Sequence, residues 1–240
     1  ENHRIISKAF MIAYATDDQG HREILGFGVY ANESKETWKS FIRDLKARGL
    51  RNVLMITSDA HEGLCDAISK EFPQAAWQRC QFHFSKNIAE KAPKKYQAGI
   101  RSELSEMFNC ITIEEARRKR DSIIADYQEV AESAMTCLDE GFESSMTAMI
   151  LPKYLRQYFR TSNHIERINR ELKRRSKVIG VFPNEASILR LMGSVLMELN
   201  DAAQARKVLF SPKTYNKLMS TEVKNKLIIL ANEQQLLRVS

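Results

Sequence analysis

Along this chain the apolar residues follow two patterns, short extended runs up to about residue 83 and helical spacing afterwards. Ile5 to Ala15 mixes β-branched, aromatic and small residues and stops at Asp17-Asp18-Gln19-Gly20, a strong turn sequence, and Glu23 to Ala31 resumes the extended pattern. The two predict a β-hairpin. From Ser34 to Arg48 the residues Trp38, Phe41, Ile42 and Leu45 recur at three and four, with Ser34 as N-cap and Gly49 as the stop, which predicts an amphipathic helix. Val53 to Thr57 is a continuous apolar run of the kind found in strands buried on both faces, so Asp59 is placed at a strand's C-terminal end. A helix over Glu62 to Phe72 and a short strand over Ala75 to His83 complete a β-β-α-β-α-β order, the signature of a mixed α/β sheet.

From Ser85 through Tyr158 strand patterning disappears. Ile100, Leu104 and Phe108, and again Ile123, Ile124 and Tyr127, keep helical spacing in a background rich in Glu, Lys, Arg, Ala and Met, predicting an all-helical block. Thr161 to Arg175 predicts a further helix with one narrow apolar stripe of Ile165, Ile168 and Leu172. At about 100° per residue Glu166, Arg170, Lys173 and Lys177 share a face beside that stripe, bordered by Arg160, Arg167, Arg174 and Arg175. Phe182-Pro183-Asn184 then opens a helix through about Leu199, followed by a polar helical tail to Ser240. The segmentation expected from these patterns is 1–84, an 85–160 helical insertion, 161–200, and a 201–240 tail.

Composition adds limits rather than a function. With 240 residues, 43% of them hydrophobic, and few Gly or Pro, the chain can bury a substantial core. No apolar run is long enough to span a bilayer and no signal-peptide pattern opens the sequence, so no membrane partner and a cytoplasmic location are expected. Cys65, Cys80, Cys110 and Cys137 lie far apart in apolar or helical surroundings, which predicts reduced thiols and no disulfide. A net charge of +7 favours a polyanionic partner, because cations that neutralise phosphates release condensed counterions. Seven cations between Arg160 and Lys177 concentrate that charge on one helix, either as a solvated face or as phosphate contacts.

Asp59 and Glu166 are the residues best suited to chemistry. Mg²⁺ prefers carboxylate oxygens, needs only one or two of them alongside substrate phosphates, and a pair of such ions can stabilise both oxygens of a phosphoryl transfer. Spacing alone equally allows Asp59 to cap the next helix and Asn163 with Glu166 to form a capping box. Trp77 suits either core packing or stacking on an unpaired base. Cys80 and His83 carry Cys-x-x-His spacing, but a zinc site needs two more ligands. No second such pair occurs; His61 and Cys65 are conceivable additions, and zinc is not expected.

The segments Ser58-Asp59-Ala60-His61-Glu62-Gly63-Leu64, Trp77 to His83, Asn163 to Arg170 and Gly180 to Asn184 closely resemble, in order, Mutator-type bacterial insertion-sequence transposases, and the resemblance runs from residue 1 to roughly 200. It implies a ribonuclease H-like α/β fold with a large all-helical insertion, and an Asp-Asp-Glu triad holding two Mg²⁺ or Mn²⁺ ions. Carried onto this sequence, Asp59 is the second Asp and Glu166 the Glu, more than a hundred residues later, with Trp77, Arg79, Cys80 and His83 shaping the site. Arg167, Asn169, Arg170, Lys173, Arg174 and Arg175 would contact DNA. The family's first Asp is expected upstream of the turn formed by Glu1 to Arg4, and Asp17 and Asp18 stand at the wrong end of the hairpin to replace it. On that reading the chain alone lacks an intact metal site and an end-recognition segment. Ala202-Ala203 also depart from the family, which usually has a tryptophan there.

The resemblance implies metal-dependent cleavage and strand transfer of double-stranded DNA, at transposon ends and target, by a homodimer in the bacterial cytoplasm, associated with the nucleoid when bound to DNA. Three alternatives stand beside it: a catalytically inactive DNA-binding remnant, a different ribonuclease H-like nuclease, and an α/β protein whose basic helix serves only solubility.

Overall fold

The structure, a computed structural model, describes residues 5–239; the turn expected over Glu1 to Arg4 lies outside them. In chain order the elements are β1 (Ala9–Thr16), β2 (Arg22–Tyr30), α1 (Lys35–Ala47), β3 (Met55–Ser58), α2 (Glu62–Glu71), β4 (Ala76–Arg79), α3 (Gln81–Lys91), α4 (Lys94–Phe108), α5 (Ile113–Ser145), a 3₁₀ turn (Thr147–Ile150), α6 (Lys153–Phe159), α7 (Asn163–Ile179), α8 (Glu185–Gln204), α9 (Pro212–Leu218) and α10 (Thr221–Val239). The expected β-β-α-β-α-β order followed by helices is present. Among the described residues the ladders form two separate two-stranded sheets, antiparallel β1–β2 and parallel β3–β4.

Several local expectations need correction. Ile5 to Lys8 precede the first strand, and Ile5 is 82% exposed, so β-propensity there finds no ladder partner. β3 is shorter than expected and mostly half-buried rather than buried on both faces. The strand expected as far as His83 ends at Arg79. Cys80 is the N-cap of α3, so His83 lies in a helix rather than a strand. Asn163 is already helical, one residue out of register with the capping box considered for it and Glu166.

The chain divides into two compact units. The first, residues 1–52, 62–71 and 163–220, is built on the hairpin. Side chains alternate across a strand, so Met11 packs with Phe41 and Leu45 of α1 on one face, while Ile12 on the other joins Ile168 and Leu172 of α7 with Met192, Val195 and Leu196 of α8. Ser34 caps α1 by accepting the Thr37 N–H, and Asn184 forms a capping box with Ser187 that starts α8.

The second unit, residues 53–61, 72–162 and 221–240, holds β3 and β4, the helices α3 to α6, and α10. Its core gathers Phe84, Ile88, Ile100, Leu104, Met107, Ile123, Leu138 and Phe142 from α3, α4 and α5. Each such side chain contributes about 1.5–3 kcal/mol when fully buried. A polar seam joins β4 to this helical core. Gln78, wholly buried, donates through Nε2 to the Ser145 carbonyl at 2.6 Å and accepts the Ala148 N–H on Oε1 at 2.6 Å. On the strand's main chain, Gln234 of α10 accepts the Trp77 N–H at 2.8 Å and donates to the Trp77 carbonyl at 2.8 Å, so a side-chain amide substitutes for a neighbouring strand.

Candidate functional site

In the second unit the parallel pair β3–β4 ends at Ser58 and Arg79, and Asp59 and Cys80 follow immediately. The space beyond the carboxyl ends of parallel strands is where open α/β sheets commonly bind ligands. The backbone around Asp59 is held firmly. The Cys80 N–H donates to the Ser58 carbonyl at 2.7 Å, and Trp77 Nε1 donates to Ser58 Oγ at 2.9 Å. Asp59 itself is exposed and accepts the His61 N–H at 3.4 Å in an Asx turn just ahead of α2, which begins at Glu62. Trp77 is half-buried and anchored through both its main chain and its indole.

Segment 159–162 runs along these strand ends. Thr57 Oγ1 donates to the Phe159 carbonyl, the Gln81 N–H donates to the Arg160 carbonyl at 3.0 Å, and the Ser162 N–H donates to Cys80 Sγ at 3.3 Å. Cys80 is fully buried, in keeping with the expected core thiol, and none of the four cysteines is joined in a disulfide among the described residues. The Arg79 guanidinium carbon lies 4.4 Å from the centre of the Phe84 ring. His83 is half-buried, one turn into α3 beyond Cys80, its ring 5.5 Å from that of Phe82.

In the first unit, α7 presents Glu166, half-buried, in its opening turn, and α7 packs through Ile168 and Leu172. Its cations fall into two groups. Arg174 and Arg175 both bond Glu171, at 2.6 and 2.9 Å, and Arg175 also approaches Glu198 at 3.8 Å. Hydrogen bonds from Arg174 and then Arg175 lower the Glu171 pKa to about 2. Arg167, Arg170 and Lys173 are exposed and make no ion pair among the described residues, and Asn169 is half-buried beside them. Arg160, expected on the border of the basic face, belongs to the second unit and donates to the Phe108 carbonyl at 3.1 Å and to Asn109 Oδ1 at 2.9 Å.

Arg167, Arg170 and Lys173, without an ion pair among the described residues, can therefore meet an external anion without first breaking a salt bridge. The neutralising role of Glu171 could have been anticipated, since it stands three and four residues before its arginines, the spacing at which helical side chains meet. A second group could not: Tyr14 of β1 stacks on His164 of α7, with Arg22 and Arg206 nearby. These residues come from the hairpin, α7 and the end of α8 and carry no joint sequence signal.

Comparison with known proteins adds identity to this geometry. A sequence model of the family described as "Transposase, Mutator family" matches residues 1–205. The chain is 40% identical over 203 residues to the transposase for insertion sequence element IS256 in transposon Tn4001 from Staphylococcus aureus, covering 84% of this chain and 52% of that protein. It is 36% identical over 205 residues to the transposase for IS1081 from Mycobacterium tuberculosis, covering 82% and 48% respectively. With the transposase for IS406 from Burkholderia multivorans it shares 36% identity over 210 residues, covering 85% and 53%. The chain spans about half the length of these relatives.

Proposed function

Because the chain belongs to the Mutator family of transposases, we propose that it is the catalytic part of a DNA transposase, with a ribonuclease H-like fold in which residues 85–160 are a helical insertion. In this reading it cleaves and transfers strands of double-stranded DNA with the help of Mg²⁺ or Mn²⁺. The observation that carries the proposal is the pairing of family membership with α7, where a half-buried carboxylate opens a helix whose Arg167, Arg170 and Lys173 are exposed and make no ion pair among the described residues.

Asp59 and Glu166 would hold the metal ions, together with a third carboxylate expected on an upstream strand. Their donor chemistry fits: both offer hard oxygen ligands, one exposed beyond a strand end and the other in a helix's first turn. When bound, the ions supply Lewis-acid stabilisation of the charge on the phosphodiester. The protein's own share is positioning. Arg167, Arg170 and Lys173 hold backbone phosphates, Arg174 and Arg175 join them if released from Glu171, and Asn169 adds a neutral contact. Cys80, Trp77 and segment 159–162 fix the strand ends from which Asp59 projects, while His83 borders the site. These phosphate contacts provide affinity and register but no base reading. Pairing of two transposon ends calls for a homodimer.

The test is nicking and strand transfer of supercoiled DNA in Mg²⁺ or Mn²⁺, using this chain extended upstream through the strand expected to bear the first Asp. Asp59→Asn and Glu166→Gln should each lower the rate by roughly 100-fold or more, since a metal ligand supports several kcal/mol of charge stabilisation. Equal cutting by Glu166→Gln, or an inert extended protein, overturns the assignment.

A further inference from the structure

Away from Glu166, the first unit carries a second cationic cluster. The rings of Tyr14 and His164 stack with centroids 5.5 Å apart and planes inclined by 19°. Arg22 belongs beside them through strand register: Tyr14 pairs with Ile24 and Thr16 with Arg22, which makes Tyr14 and Arg22 diagonal neighbours on one face of the hairpin. Arg167 stands one turn after His164 on α7. Arg206 lies just past α8, in a stretch tied to the hairpin on both sides. Asn200 Oδ1 accepts the Ile24 N–H at 2.8 Å, and the Leu209 N–H donates to the Gly20 carbonyl at 2.9 Å.

Three elements thus bring three guanidinium groups to one pair of rings. None of the three makes an ion pair among the described residues, although Arg43, Arg48, Arg117, Arg120, Arg174 and Arg175 all do. The Tyr14 phenol registers the same charges: burial raises its pKa, while Arg22, Arg206 and Arg167 oppose the rise. Like charges gathered without a counterion repel one another, and a phosphodiester would relieve that repulsion while meeting guanidinium forks and the Tyr14 hydroxyl.

We propose that Tyr14, Arg22, His164, Arg167 and Arg206 form a second phosphodiester-binding site for duplex DNA, on the flank of α7 turned about 100–160° from Glu166. The proposal rests on the reading of the chain as a DNA-binding transposase part, but it needs neither metal nor cleavage. The site would grip the backbone away from the metal-binding carboxylate and so fix the direction in which the duplex leaves α7.

The experiment measures binding of a 20-base-pair duplex in EDTA by fluorescence anisotropy across a salt series, for the chain and its Arg22→Ala, Arg206→Ala and Arg101→Ala variants. Arg101, an exposed residue of α4 in the other unit, matches the charge change. Arg22→Ala and Arg206→Ala should each reduce the slope of log K against log salt by about one, and Arg101→Ala should leave it unchanged. NMR of the Tyr14 and His164 ring signals supplies the local readout, with both shifting when duplex is added and failing to shift in Arg206→Ala. Unchanged slopes in both arginine variants, or an equal loss in Arg101→Ala, overturn the site. A His164 response to inorganic phosphate but not to duplex also overturns it, in favour of a small-anion site. If the unaltered chain shows no salt-dependent duplex binding, the broader DNA-binding reading fails instead.

Discussion

Replacing Gln78 by Leu isolates the polar seam that fastens β4 to the helical core of the second unit. Gln78 is fully buried and saturates both ends of its amide: Nε2 bonds the Ser145 carbonyl and the Arg79 carbonyl, each at 2.6 Å, and Oε1 accepts the Ala148 N–H at 2.6 Å. Leucine fits the space but leaves the Ala148 N–H buried without an acceptor, a cost of about 1–3 kcal/mol, and the other lost bonds bring the total to about 2–4 kcal/mol. Gln81 supplies the internal control. Its Nε2 also bonds the Ser145 carbonyl, at 2.9 Å, so Gln81→Leu leaves that oxygen satisfied by Gln78 and should cost only about 1 kcal/mol. The double variant strips the Ser145 carbonyl of both side-chain donors and should cost more than the sum of the single changes. Urea unfolding followed by Trp77 fluorescence in a Trp38→Phe background reads this unit alone, and Gln78→Leu should lower the midpoint by roughly 1 M. Gln78→Leu and Gln81→Leu costing the same, or a strictly additive double variant, would refute the shared-acceptor reasoning.

Three further predictions concern the first unit. Glu171→Gln frees Arg174 and loosens Arg175, so duplex affinity at low salt should rise and the salt slope steepen by about one to two, measured by anisotropy; weaker binding would show that the pairs organise α7 rather than restrain it. His164, held below its ordinary pKa by burial and then by Arg22, Arg167 and Arg206, binds its proton more readily when unfolded. Its contribution to stability is therefore present above the unfolded value of about 6.5 and lost as pH falls below it towards the folded value; His164→Gln should flatten the decline of Tm between pH 7 and 5, and an unaltered decline would count against it. Gly20 has φ of 82°, and an added Cβ would lie 2.2 Å from the Phe210 carbonyl oxygen. Gly20→Ala should cost about 2 kcal/mol or more in thermal unfolding, whereas a neutral result would mean that the turn relaxes freely.

Local patterning by itself determined the order of elements, the capped α1, the change from strands to helices, the cationic character of α7 and the motifs that place the chain among the Mutator transposases. These features depend on residues within a few positions of one another, and hydrophobic period and cap chemistry report such short distances directly. Long-range packing decided the rest: that the four strands make two separate ladders, that β4 gives way to α3 at Cys80, and that Gln78 is wholly buried although glutamine in a sequence reads as surface. It also decided which cations stay available. Arg160 looks equivalent to Arg167 and Arg170 along the chain, yet the Phe108 carbonyl and Asn109 Oδ1, distant in sequence, hold it. The grouping of Tyr14 and Arg22 with His164, and of both with Arg206, exists only because the hairpin, α7 and the end of α8 are packed together, and a charge's surroundings, unlike its identity, are set by contacts far apart in sequence.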